Sequence, residues 1–373
     1  MRTPLFNEHI RLGARMTDFA GWEMPLQYSG ISHETLSVRY AVGLFDLSHM
    51  GEILISGTGA LEALQRIMTN DASRLCEGQA QYTLLCADDG GVLDDLILYR
   101  LESDSYLAVV NASNADNDFR WISAHAAPGA EVTNRSTDTA IIAVQGPRSE
   151  QVLTESADLD LTLIPRFHAR YGKVGAVKCL AARTGYTGED GFELLCDWND
   201  ASTLWSHLLD TGKAYGMEPA GLGARDVLRL ELAYPLHGHE LSAEITPVEA
   251  RLMWAVHLEK GDFLGRTAIE SQSAAGAARR LVGLEVNDRC IPRHAQVVLA
   301  DDVQVGIVTS GTFSPTLQKP IALAYVDRKF VQPGTDLAIM IRDRKCGVRV
   351  TGTPFYRPKP IHVGMPAQEE GEL

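Results

Sequence analysis

The sequence predicts an α+β protein that ends in a small all-β unit, either a barrel or a sandwich. Three observations carry this expectation. From the start to about residue 240, short apolar runs with strand character alternate with stretches of helical periodicity. After a small-residue stretch, "SQSAAGAARR" at 271–280, the pattern changes to short strands at regular spacing with turn residues between them. Finally, 34 basic residues against 48 acidic ones, a net charge of -14 over 373 residues, suit a water-soluble protein and argue against a nucleic-acid backbone as the main ligand. No apolar run is long enough for a membrane-spanning helix.

The elements follow in order. The first fifty residues hold a helical stretch over Ser32 to Tyr40 among glycine-rich joints. Strands are expected at Ile53 to Ser56, Gln81 to Cys86, from Val92 onward, and at Tyr106 to Asn111, with the amphipathic "GALEALQRIMTNDASRL" between the first two. A second passage repeats that plan without residue-level repetition. It has the strand "TAIIAVQGP", a short helix around Ser149 to Ser156, strands in "YGKVGAVKCLAART" and "GFELLCD", and the helix "NDASTLWSHLLDTGKAYG". "GLGARDVLRLELAYPL" opens another helix, and 242–280 reads as helical and charged, with "SQSAAGAARR" as the expected linker. "LVGLEV", "AQVVLADDVQVGIVTSG", "IALAYVD" and "DLAIMIRDRKCGVRVTGTPF" supply the final strands, and the tail "GMPAQEEGEL" reads as frayed. The start lacks the apolar core of a signal peptide, so a cytoplasmic location is expected. Six scattered cysteines without a C-x-x-C predict free core thiols, with no disulfide framework and no zinc site.

Several stretches carry chemistry. In "DDGGVLDDLILYR", 88–100, the Asp-Gly step is a hairpin-turn signal, so Asp94 and Asp95 fall inside an apolar strand, one on each face. An unpaired buried carboxylate costs several kcal/mol, so partners are required. With "LESDS", 101–105, as the next turn, position 95 pairs with 111 or 112, which makes Asn111 a neighbour of Asp95 in a small polar pocket suited to a heterocycle. The alternative is that both acids are satisfied by backbone or an arginine and merely terminate a sheet. In "ARTGYTGEDGFELLCD", Tyr186 and Glu193 can reach a common ligand by stacking and by accepting hydrogen bonds; a structural turn with an exposed acid is the other reading. In "GLGARDVLRLE", Arg225 and Arg229 share a helix face, either to hold an anion or to form a lattice with Asp226 and Glu231. His237 and His239 lack metal-ligand spacing, and Ser48 with His49 lacks a third triad member. The basic residues from Arg342 to Arg349 suit either an acidic partner or a solvated strand edge.

Eight stretches in order, "TDFAGWEMPLQY", "VGLFDLSHMGE", "GGVLDDLILYR", "VVNASN", "VQGP", "RTGYTGEDGFE", "GLGARDVLRLE" and "GTFSPTLQKPIALAYV", resemble the aminomethyltransferase, or T-protein, family of the glycine cleavage system. The resemblance runs from Thr3 to about Arg357. It implies a three-domain cloverleaf around a central folate-binding channel. Its folate-binding region would cover 1–275 as two intertwined α+β domains, approximately 1–50 with 135–245 and 51–134 with 246–275, followed by a β-barrel at 281–360. It implies transfer of a one-carbon unit from the aminomethyl-dihydrolipoyl arm of H-protein to tetrahydrofolate, with release of ammonia. Asp95 resembles the catalytic aspartate, and no role attaches to Asp94. Asn111 and Glu193 resemble the pterin-binding residues, with Met50, Tyr82 and Tyr186 lining the pocket. Arg225 resembles the residue on the glutamate tail, and Tyr356 or Arg357 a further contact. Neither a metal nor a flavin is implied, and no G-x-G-x-x-G motif is present. A folate-dependent demethylase of a small methylated substrate is the competing enzyme class, and a folate-binding regulatory protein the competing non-enzyme.

Overall fold

The structure, a computed structural model, describes residues 1–288 and 290–358. The tail at 364–373 and the last two positions of the expected 281–360 barrel lie outside the described residues.

Two mixed layers precede a barrel. One is a six-stranded sheet whose order across the sheet is Ala169–Val174, Val177–Ala182, Gly191–Asp197, Thr139–Gln145, Val42–Asp46, Met217–Pro219. The other is five-stranded and runs Ala80–Cys86, Val92–Glu102, Ser105–Val110, Gly51–Ser56, Glu131–Asn134. Each sheet buries one face under helices. Leu194, Ile142 and Val144 pack on Leu204, Trp205 and Leu208 of helix Ala201–Gly212, and Ile53, Ile55 and Leu98 pack with Leu64 and Ile122 from helices Ala60–Ile67 and Ala115–Ala124. The other faces meet in a shared core of Phe45, Tyr99, Leu107, Ile141, Ala143 and Leu195. Apolar residues on both sides of these strands are what interleaved layers require.

The last six strands close on themselves in the order Arg279–Val286, Lys319–Asp327, Val303–Ser314, Val297–Ala300, Asp336–Ile341, Arg344–Thr351, a barrel rather than a sandwich. Closure removes the free edge, so the basic run at 342–349 lies on a barrel wall, where Arg349 pairs with Asp336 at 2.7 Å and Lys345 with Asp302.

Three expectations are corrected. Only Arg266–Ala275 of the charged region 242–280 is α-helical, with short 3-10 turns at Met253–Ala255 and Leu258–Lys260; Pro247, Gly261 and Gly265 interrupt the rest. The "SQSAAGAARR" stretch is no loose linker, because it completes that helix and Arg279 already starts the barrel. Cys290 and Cys346 form a disulfide, so four thiols are free, not six. The segment leaving strand Arg279–Val286 crosses strand Arg344–Thr351, where Asn287 donates to Gly347 O at 3.0 Å, and this brings the cysteine Cα atoms to 6.7 Å, within disulfide reach. Hairpin Arg15–Phe19/Trp22–Gln27 and helix Ala115–Ala124 were not expected.

A buried guanidinium ties the layers together. Arg39, from helix Ile31–Tyr40, bonds Glu231 at 2.7 and 3.0 Å, Glu189 at 2.8 Å and Thr187 O at 2.7 Å. Glu231 also accepts from Ser314 and Thr316 of the barrel domain.

Glu52 has no such partner. It is fully buried on the interior strand Gly51–Ser56, and neither carboxyl oxygen has a hydrogen-bond partner among the described residues. Burial therefore pushes its pKa well above the ordinary carboxylate value. An acid whose folded-state pKa is raised binds more protons folded than unfolded, so the stability it permits below the unfolded value is lost as pH rises through the folded value. Glu52→Gln removes that loss. Thermal melts across pH should show the variant gaining on the parent as pH rises; a difference constant with pH contradicts the assignment.

Candidate active site

The strand Val92–Glu102 begins where the Asp-Gly turn expects it. Gly90 takes φ +85°, and at Gly91 a Cβ would lie 1.9 Å from Ala243 O, so only glycine fits. The partner strand Ser105–Val110 returns after a turn at Ser103 and Asp104, tighter than 101–105, with Glu102 facing Ser105. Its register sets Ile97 opposite Val109, and two steps further position 95 faces 111. Alternation then sends the twin acids to opposite faces.

Asp94 joins Leu96 and Leu98 on the helix side, fully buried. Its carboxylate accepts from the Asn111 backbone N–H at 3.0 Å, Asn111 Nδ2 at 2.8 Å and Asn114 Nδ2 at 2.7 Å. Asp95 joins Ile97 and Tyr99 on the inter-sheet side. It accepts from the Tyr82 hydroxyl at 2.9 Å and from Asn111 Nδ2 at 2.9 Å. Asn111 lies one residue beyond its strand, and so its amide reaches both acids. Burial, then the charge of Asp94, push Asp95 up to about 7, against the pull of its bonds from Tyr82 and Asn111. A carboxyl that exchanges its proton near neutrality is equipped for acid–base work.

The opposite wall comes from the six-stranded sheet and the glycine-rich loop. Arg183 pins that loop through Asp190 at 2.9 Å, while Gln145 donates to Thr184 O at 3.1 Å and accepts from the Thr187 hydroxyl at 2.8 Å. Glu193, half-buried on strand Gly191–Asp197, accepts from the Thr184 hydroxyl, which meets the Tyr99 hydroxyl at 3.0 Å. Burial raises its pKa, opposed by Thr184 and by Arg225. Tyr186 donates to Pro235 O and stacks on Tyr234 at 5.8 Å; it lies near enough to Asp95 to feel its charge. Met50, like Ile97 and Val109, is partly buried and packs against the inter-sheet core.

Arg225 and Arg229 part company. Arg229 is buried and bonded to Asp226 at 2.8 Å, Glu240 at 2.7 Å and Ser310 at 2.7 Å, so it is a structural ion cluster and no anion site. Arg225 lies 4.7 Å over the Tyr186 ring and makes no side-chain hydrogen bond or ion pair among the described residues. Burial lowers its pKa, while nearby Glu193 supports the cation. It is a cation available to an anionic ligand.

Asp95, Asn111 and Tyr82 are thus joined directly, and Glu193, Tyr186 and Arg225 form a second group beside them. Tyr356 and Arg357 belong to neither. The Tyr356 ring lies 4.2 Å from the Arg39 guanidinium and close to Glu189, while Arg357 is exposed. Trp254, which no periodicity flagged, stacks on Tyr82 at 5.1 Å and is 54% exposed, so it extends the aromatic wall toward solvent. Ser48 exchanges hydrogen bonds with the Ile141 backbone and is no nucleophile.

Two interlocked α+β layers and a barrel, with a near-neutral carboxyl beside an arginine-capped aromatic wall, are the features of a protein with the chemistry to take a heterocycle with an anionic tail. Residues 5–260 match the GCVT N-terminal domain family and 279–357 the glycine cleavage T-protein C-terminal barrel domain, so the chain belongs to the glycine cleavage T-protein family. It is 48% identical over 358 residues to an aminomethyltransferase of Geobacillus thermodenitrificans, covering 95% of this chain and 98% of that one. An aminomethyltransferase of Bacillus subtilis is 46% identical, covering 95% and 99%. The crystal structure of glycine cleavage system aminomethyltransferase T from Bartonella henselae superposes with a TM-score of 0.91 at 35% identity, covering 96% of this chain and 99% of that one.

Proposed function

We propose that this chain is the tetrahydrofolate-dependent aminomethyltransferase of the glycine cleavage system. It takes the aminomethyl group from the dihydrolipoyl arm of lipoylated H-protein, passes the carbon to tetrahydrofolate as 5,10-methylenetetrahydrofolate and releases ammonia. The observation that carries this reading is Asp95, a carboxyl pushed up to about 7 and held between Tyr82 and Asn111. The transferred carbon exchanges its bonds to the donor nitrogen and sulfur for bonds to two folate nitrogens. Each attacking nitrogen therefore gives up one proton, one going to the departing amine as ammonia and one to sulfur, and a carboxyl that titrates near neutrality can accept and hand on such a proton.

The other residues bind and orient. Asn111 and Glu193 meet the pterin edge, Met50, Tyr82 and Tyr186 wall the ring, and Arg225 takes the glutamate carboxylate of the tail. Tyr356 and Arg357 remain assigned as a further tail contact only by resemblance. No helix among the described residues is long and apolar enough to cross a membrane, and a cytoplasmic setting suits the reading.

Arg225→Met should weaken tetrahydrofolate binding by about 10- to 100-fold, the worth of a charge-assisted bond, with kcat nearly unchanged. Titration with a folate fragment lacking the glutamate should show no difference between variant and parent; an equal loss there contradicts the tail assignment. The activity itself is tested by mixing the protein with tetrahydrofolate and aminomethylated H-protein and following ammonia and methylenetetrahydrofolate. Methyl transfer from a small donor, without ammonia from H-protein, would make the chain a demethylase.

A further inference from the structure

Helix Ala115–Ala124 packs on strands Gly51–Ser56 and Glu131–Asn134, on the sheet face that points away from the proposed folate channel, and its first turn carries a third acid. Asp118 is 2% exposed. Its backbone N–H donates to Asn114 O at 2.8 Å, and Asn114 Nδ2 in turn donates to Asp94 Oδ1 at 2.7 Å and to Leu93 O at 3.3 Å. The Asp118 carboxyl lies beside Asp94, close enough for the two charges to act on each other, and its Oδ2 is buried without a partner among the described residues. No lysine or arginine forms an ion pair with Asp94, Asp95 or Asp118 among the described residues. Two neighbouring carboxyls can share one proton, and a buried cluster of three acids without a cation cannot be fully ionised.

We propose that Asp118 is a positioning residue for the transfer site, a protonated carboxyl that donates to Asp94 and thereby fixes the Asn111 amide against Asp95. Burial and the charges of Asp94 and Asp95 hold the proton on Asp118 far above the carboxylate range, so it is the donor of the pair. With Asp94 kept as acceptor, Asn111 presents its backbone N–H and Nδ2 to it, and the same Nδ2 reaches Asp95 Oδ1 at 2.9 Å. The amide orientation is thereby set, with nitrogen toward the acids and oxygen away from them. An anionic Asp118 would repel Asp94, and a protonated Asp94 would no longer accept from every side. Asn111 would then lose the anchor that aims it.

This inference rests on the reading of Asp95 as the reacting acid. Tyr82 from the neighbouring strand and Tyr186 from the glycine-rich loop lie on the Asp95 side, and Asp94 and Asp118 act on it by charge from the opposite face. Because the bond from Asn111 favours the Asp95 anion, loosening Asn111 raises the pH at which Asp95 loses its proton.

The test compares Asp118→Leu, which is larger and offers no donor, with Asp118→Asn, which keeps the shape and whose amide can donate to Asp94. Asp118→Leu should lower kcat about tenfold and move the acid limb of the kcat profile to higher pH, with tetrahydrofolate KM changed less. Asp118→Asn should recover most of the lost kcat and return the limb to the parent position. Infrared spectra at neutral pH should also lose one protonated-carboxyl C=O band in Asp118→Asn, a readout that needs no turnover. Equal impairment of both variants with an unmoved pH limb, or no lost infrared band, overturns the proposal. Should Asp118→Leu not fold, a displaced limb in Asp118→Asn overturns it by itself. A parent protein without aminomethyl transfer would instead refute the reading of the site, and the infrared comparison would still decide whether Asp118 holds the proton.

Discussion

Asp95→Asn is expected to lower kcat by about 10²- to 10⁴-fold, the usual worth of a positioned acid–base group, while tetrahydrofolate affinity changes only a few-fold. The asymmetry follows from the contacts. Asn can still meet the Tyr82 hydroxyl and the Asn111 amide, which stand at 2.9 Å from the two carboxyl oxygens, so the shape of the pocket persists. Only the exchangeable proton is lost. Steady-state kinetics with tetrahydrofolate binding measured separately distinguishes the cases; equal losses of kcat and affinity would make Asp95 a binding residue.

Arg39→Leu is expected to be the costliest single change to the frame, at about 3–5 kcal/mol, the range for breaking a buried ion pair from one side. The guanidinium is fully buried and satisfies Glu231 and Glu189 together with the carbonyls of Thr187 and Leu228. Removing it leaves two carboxylates in the interior at the junction of helix Leu222–Glu231, the glycine-rich loop and the barrel. Urea denaturation monitored by tryptophan fluorescence measures the loss. Pairing the change with Glu231→Leu should return part of it, because the stranded charge is then gone; a loss for Arg39→Leu under about 1 kcal/mol would mean that water already reaches the cluster.

The twin-acid hairpin was legible because its information is local. A turn signal, two apolar strands and alternation bring Asn111 to Asp95 without any knowledge of the rest of the chain. The arginine pair shows where locality ends. Helical spacing puts Arg225 and Arg229 on one face, yet burial by the barrel residue Ser310 and by Glu240 decides which of them stays free. Asp94 needed helix Ala115–Ala124, whose signals, Asn114 before it with Asp116 and Asp118 in its first turn, are ordinary helix-start residues easily passed over. Trp254 sits in a segment of short 3-10 turns with no hydrophobic period to read. The Cys290–Cys346 disulfide spans 56 residues, and only barrel closure brings its ends together.

A proton held by Asp95 is at the heart of the proposed transfer. The most direct test is the pH dependence of single-turnover ammonia release with saturating tetrahydrofolate and aminomethylated H-protein, run on the parent and on Asp95→Asn. The parent rate should rise with pH through one ionisation at about 7, as the carboxylate able to take the folate proton forms, and this step should be absent from the variant. The same step persisting in Asp95→Asn would contradict this role of Asp95.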